Sequence, residues 1–134
     1  NNAQRSVANG DGLLEADATG QVAARARDDQ VAALRALHDR LERNAGQRDA
    51  FFAVNEQFHM ALLDAAGNRW LAQIVADLRK VMKLNRHHSL FKQGRLADSL
   101  AEHRAVMAAI ESRDAELATR LMREHFANGL EATG

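Results

Sequence analysis

The most constraining feature of this sequence is an absence: none of its 134 residues is proline. Proline lacks a backbone donor and fixes φ, so it is the residue that most often stops or kinks a helix. Aromatic residues are scarce at 4%, and Ala, Leu, Arg and Glu, all good helix formers, recur throughout. The implied class is all-α. With 46% hydrophobic residues the chain can bury one sizeable core, which argues for a single domain.

Local signals divide the chain into helices. Residues 1–12 mix Asn, Ser and Gly with little periodicity and read as a linker or chain edge, leaving 13–134 as the domain. An alanine-rich helix follows from 13 to about 26, weakened in its middle by Thr19-Gly20. Asp28 offers an N-cap for a second helix to about 44, with Val31, Leu34, Leu37 and Leu41 on its apolar stripe. The third spans about 49–66 and carries Phe51, Val54, Phe58 and Leu62 on one face. Gly67 suits its C′ position and Asn68 the next N-cap. In the fourth helix Trp70, Ile74, Leu78, Val81 and Met82 are expected to face inward, with the helix fading near Gly94. A fifth, about 96–112, buries Leu96, Leu100, Met107 and Ile110, and a sixth begins near Asp114 with Ala118, Leu121, Met122 and Phe126 inward. Six helices with short connections make an antiparallel bundle. No repeat or sustained heptad points to a solenoid or coiled coil.

Composition narrows the function. Eighteen basic residues balance eighteen acidic ones, so no global positive field draws the chain onto nucleic acid or an anionic membrane. Absence of cysteine excludes disulfides and thiolate metal sites and is consistent with a reducing cytoplasm. No apolar run approaches the ~20 residues of a membrane span, and no leader pattern opens the sequence. The expectation is a soluble, cytoplasmic domain.

Histidine, carboxylate and amide donors remain as possible ligands. His59, His103 and His125 each fall on the apolar stripe of a different helix, and Asn55 precedes His59 by one helical turn. Such residues can converge on a metal ion inside a bundle, giving three nitrogens and one oxygen. The set suits Zn, and also Ni, Co or Mn. The alternative is three separate core histidines, but these would need partners for about six ring nitrogens. His87 and His88 diverge by about 100° and cannot both face one ion. His38 lies between Leu37 and Asp39, on a solvated face if Leu34 and Leu41 point inward.

The order of these motifs resembles a known family. Asn55-Glu56-Gln57-Phe58-His59, Ala65-Ala66-Gly67-Asn68, Glu102-His103 and Met122-Arg123-Glu124-His125 are similar to the FCD effector-binding domain of GntR-family bacterial transcription regulators. The six-helix length is closer to the shorter VanR-like subclass. The resemblance implies a homodimer that senses a small organic carboxylate at a metal held by Asn55, His59, His103 and His125. Operator DNA would be bound by an N-terminal winged helix-turn-helix domain, for which this chain has no candidate. The family often has Asp at the first ligand position. Four neutral ligands here would leave the ion its full charge, which favours an anionic effector. Arg79, Asn85 and Arg86 on the fourth helix and Ser99 on the fifth are candidate effector contacts. Two rival functions stand beside this one: a small metal-dependent hydrolase, and a metal-free structural dimerisation bundle. Against the first, Glu102 and Glu124 immediately precede histidines and point about 100° away from them, which leaves no obvious base.

Overall fold

The computed structural model describes residues 2–133, with side chains described through residue 130. Six helices and no strands are present among these residues: α1 (Asn2–Arg25), α2 (Asp28–Arg43), α3 (Arg48–Ala65), α4 (Arg69–Leu90), α5 (Arg95–Glu111) and α6 (Ala115–Thr133). This is the all-α bundle expected from the composition. No helix among the described residues is long and apolar enough to cross a membrane.

Two expectations for α1 change. Residues 2–12, read as a linker, form the first turns of the helix and are mostly exposed, with Asp11 and Gly12 the first to be buried. Their Asn, Ser and Gly content hides the helix from propensity arguments, but an established helix extends at little cost. Thr19-Gly20 does not weaken it either. A Cβ on Gly20 would lie 2.1 Å from Thr119 Oγ1, and one on Gly12 would lie 2.9 Å from Phe126 Cβ. Both glycines let α6 approach α1 closely, and Thr19 Oγ1 donates to the Glu15 carbonyl at 2.7 Å.

The junctions follow the sequence signals closely. Asn68 Oδ1 accepts from the amides of Trp70 and Leu71, both at 3.1 Å, and Gly67 takes φ +82 just after α3. Asp114 accepts from Leu117 N at 3.1 Å. At α2 the cap falls one residue early, on Arg27, whose amide donates to Gln30 Oε1 at 2.9 Å.

The buried apolar residues form two clusters. The larger joins all six helices through residues such as Val22, Leu34, Phe58, Val75, Ile110 and Met122. The smaller comprises Leu41, Phe51, Phe52, Val54, Leu90 and Leu100. Polar side chains lie between them on three helices: His38 separates Leu34 from Leu41, His103 separates Leu100 from Val106, and Arg79 separates Val75 from Leu90. A polar layer therefore lies between the two clusters.

The inward face of α4 is not the one expected. Trp70, Ile74 and Val81 are 68%, 52% and 69% exposed, as is Leu84 at 82%. Met82 is buried as expected, and Ala72, Val75 and Arg79 are buried in place of the others. The helix has two apolar rows, and the one facing the core is disguised by its arginine.

Candidate metal centre and effector pocket

Three helices carry the histidines to one point. His59 on α3, His103 on α5 and His125 on α6 are 1%, 1% and 9% exposed, and one ring nitrogen from each lies within 4.8 Å of the others. That separation can hold a metal ion. Asn55, one turn before His59, has its Oδ1 buried with no hydrogen-bond partner among the described residues, and both nitrogens of His103 are in the same condition. Uncompensated burial of such groups is unfavourable, so a shared cation fits the donors present.

Two of the three imidazoles are oriented by carboxylates. His59 Nδ1 lies 2.7 Å from Glu15 Oε1 on α1, and His125 Nδ1 lies 2.5 Å from Glu102 Oε1 on α5. Each contact occupies Nδ1 and leaves Nε2 for a ligand, the usual support for a metal-binding histidine. The carboxylates are held in turn. Arg79 Nη1 donates to Glu15 Oε2 at 2.6 Å, and Arg79 also grips Glu56 through Nε and Nη2 at 3.2 and 2.9 Å. Arg95 grips Glu102 through two bonds at 3.0 and 2.8 Å, and Asn128 adds a third at 2.9 Å.

These contacts set the protonation states. Burial works against ionising Glu15, but Arg79 and His59 outweigh it and hold its carboxyl below the usual range. Burial likewise opposes ionisation of Glu102, yet hydrogen bonds from His125 and Arg95 bring its pKa down to about 2. His103 is pushed well below the ordinary histidine value by burial and by the neighbouring His125 and His59. Burial and the charge of Arg79 lower His59 as well, despite Glu15. Neutral imidazoles and ionised supporting carboxylates are the forms a metal centre requires.

A pocket of about 260 Å³ opens beside the cluster, lined by Asn55, His59 and His125 together with Arg79, Asn85, Arg86 and Ser99. All four candidate effector residues therefore reach it, though not alike. Arg79 is only 3% exposed, and its guanidinium is engaged by Glu15 and Glu56. Arg86 binds Glu56 through Nε and Nη2, both at 2.9 Å, while its buried Nη1 has no partner among the described residues. Asn85 Nδ2 reaches Gln4 Oε1 at 3.5 Å, and Ser99 is buried. Four arginines line the pocket, Arg5, Arg79, Arg86 and Arg95, against one acidic residue, Asp11. Burial and the adjacent Glu15 push the Asp11 pKa up to about 9, so it is uncharged near neutral pH.

A model of the FCD domain family matches residues 12–128. The chain belongs to the FCD domain family. Among solved structures, E. coli McbR/YncC superposes with a TM-score of 0.83 at 16% identity, over 96% of this chain and 63% of that one. At that identity the likeness establishes the fold alone, and the chain spans 63% of that protein's length. Comparison with curated proteins gives no match. An FCD domain is a regulatory, effector-sensing unit, in line with the motifs on α3, α5 and α6.

Several parts of this FCD domain escape a reading of spacing alone. Glu102 does point away from His103, its neighbour in sequence, but it reaches across to His125 on the next helix. Glu15 sits in an alanine-rich helix; a stripe of Asp11, Glu15 and Thr19 at four-residue intervals was its only local sign. His38, expected on a solvated face, is 1% exposed. Leu34, His38 and Leu41 define the inner row of α2, and Leu37 is only partly buried. A hydrolytic base is also hard to find among the carboxylates nearest the histidines: Glu15, Glu56 and Glu102 are all engaged by arginine.

Proposed function

We propose that this FCD domain senses a small organic carboxylate at a divalent metal bound by Asn55, His59, His103 and His125, and that it is part of a GntR-family transcription regulator. The observation that carries the reading is the trio of buried imidazoles with mutually close nitrogens, two of them backed by carboxylates, beside an arginine-lined pocket. Zinc suits three imidazoles and an oxygen best, and nickel, cobalt and manganese are compatible. Such an ion, when bound, supplies a positive charge that a carboxylate oxygen can meet.

The chain's own groups give the pocket its selectivity. Arg86 Nη1 offers unused donors to a second polar or anionic end of the effector, with Asn85 and Ser99 as flanking hydrogen-bonding groups. Arg79 fixes Glu15, and through it His59, so its role is to hold the site. Gln4, Arg5 and Ala8 in the first turns of α1 form part of the wall. In this family the DNA-binding domain precedes the FCD domain, so an effector that favours one pose of α1 would favour one pose of the DNA-binding domain. The exposed row of Trp70, Ile74, Val81 and Leu84 along α4 supports a homodimer, which would act on operator DNA in the cytoplasm.

Calorimetric titration of the zinc-loaded domain with mono-, di- and hydroxycarboxylates tests the sensor. Saturable binding is expected for at least one acid, abolished by EDTA and weakened roughly tenfold or more by Arg86→Gln. No binding by any acid would remove the sensor reading. A melting temperature unchanged by EDTA and by added zinc would favour the metal-free bundle.

A further inference from the structure

His59 and His125 each have a carboxylate on Nδ1, and His103 has neither a carboxylate nor any other hydrogen-bond partner among the described residues. Once one of its nitrogens binds a cation, the other carries a proton that must find an acceptor in a fully buried place. The rings packed around His103 are those of Phe58, His59, His125 and His38. Phe58 has no acceptor, and His59 and His125 already divide their nitrogens between carboxylate and ligand roles. Among these rings, His38 alone has an unassigned acceptor.

This residue carries its own anomaly. His38 is 1% exposed on α2, and neither of its ring nitrogens has a partner among the described residues. Two neighbouring buried imidazoles, each lacking every hydrogen bond it could make, are a double penalty unless they serve one another. Their centroids stand 6.4 Å apart with the planes tilted by 40°. That is too far for a direct hydrogen bond and suits one water between the rings. A neutral imidazole keeps one ring nitrogen as an acceptor, which His38 can offer to such a water.

We propose that His38 is a positioning residue of the metal centre: it accepts, through one bridging water, the hydrogen bond of the His103 nitrogen that does not bind metal, and so fixes the tautomer and orientation of that ligand. It does for His103 what Glu15 does for His59 and Glu102 for His125. The inference rests on the metal-binding reading of the three histidines and adds a fourth histidine that is not a ligand.

The test is competition titration of Zn2+ against a chromophoric chelator for wild type, His38→Phe and His38→Gln, with melting temperatures of the metal-free proteins. His38→Phe removes the acceptor but keeps a ring of similar size; zinc affinity should fall roughly 10- to 100-fold. The metal-free melting temperature should hold or rise, because two unsatisfied buried nitrogens are lost. His38→Gln keeps an acceptor oxygen and should recover most of the affinity. Wild-type affinity in His38→Phe would overturn the proposal and leave the metal site standing, whereas no zinc binding by the wild type would overturn both. Ring 15N shifts of the wild type provide a second measure should His38→Phe fail to fold. On zinc loading, one His103 nitrogen should become ligated and the other protonated, with a hydrogen-bond shift at one His38 nitrogen. A His38 ring whose signals ignore zinc would overturn the proposal.

Discussion

The larger apolar cluster and the polar layer beside it obey opposite rules within one bundle. In the cluster, Leu34, Phe58, Leu62, Ile110 and Met122 are apolar side chains with no hydrogen bond to satisfy. In the layer, Glu15, Arg79, His38, His59 and His103 are just as buried, yet each needs a hydrogen bond or a counter-charge, and some have none. Apolar burial stabilises by roughly 1.5–3 kcal/mol per large side chain, whereas buried ion pairs often only offset their desolvation. The cluster accounts for why the chain folds. The layer is what folding carries along, and under the proposed function the unmet groups of Asn55 and His103 are the ones that would meet the ion.

Substitutions can separate the two regions. Arg79→Met should be the most damaging, because it leaves Glu15 buried without its main counter-charge and Glu56 with Arg86 alone; destabilisation of about 3–5 kcal/mol by urea denaturation is expected. Adding Glu15→Gln should recover part of that loss, as the orphaned charge is then removed. In the dry cluster, Leu62→Ala should destabilise by about 2–5 kcal/mol through the cavity it opens. Its zinc affinity should stay at the wild-type value; a parallel loss would show that the regions are not separable.

His103→Phe inverts that pattern. Zinc affinity should drop by roughly 100-fold or more with one ligand gone, while the metal-free melting temperature holds or rises. A large drop in metal-free stability would mean that His103 is an ordinary satisfied core residue. The smallest effect expected is a pH dependence of the metal-free protein. His59 and His103 have folded pKa values below the ordinary histidine value of 6.5, so the unfolded chain takes up protons more readily than the folded one. The stability they contribute is therefore present above about pH 6.5 and is lost as the pH falls below it. The urea midpoint should decline over that interval, and less steeply in His103→Phe. An equal slope in both proteins would contradict the assignment of His103 as a buried neutral imidazole.

Much of this plan is legible in the sequence because it depends on local chemistry. Asn68, Gly67 and Asp114 punctuate helices through hydrogen bonds and backbone angles that a few residues determine, and the i, i+4 pair of Asn55 and His59 places two donors on one ledge. Periodicity is enough to place His103 and His125 inward. It fails where two arcs compete on one helix: on α4 the apolar row of Trp70, Ile74 and Val81 outranks the buried row that contains Arg79. The same fault puts His38 outside, one position from Leu37. Glu15 and Glu102 act on residues 23 to 64 positions away on other helices, a kind of contact that no local window contains.

X-ray absorption at the zinc edge of the zinc-loaded domain addresses the central claim most directly. The account predicts one tightly held ion with three imidazole nitrogens at about 2.0–2.1 Å, completed by oxygen, and loss of one imidazole shell in His103→Phe. An ion surrounded by oxygen with no imidazole scattering, or a spectrum that His103→Phe leaves unchanged, would contradict it.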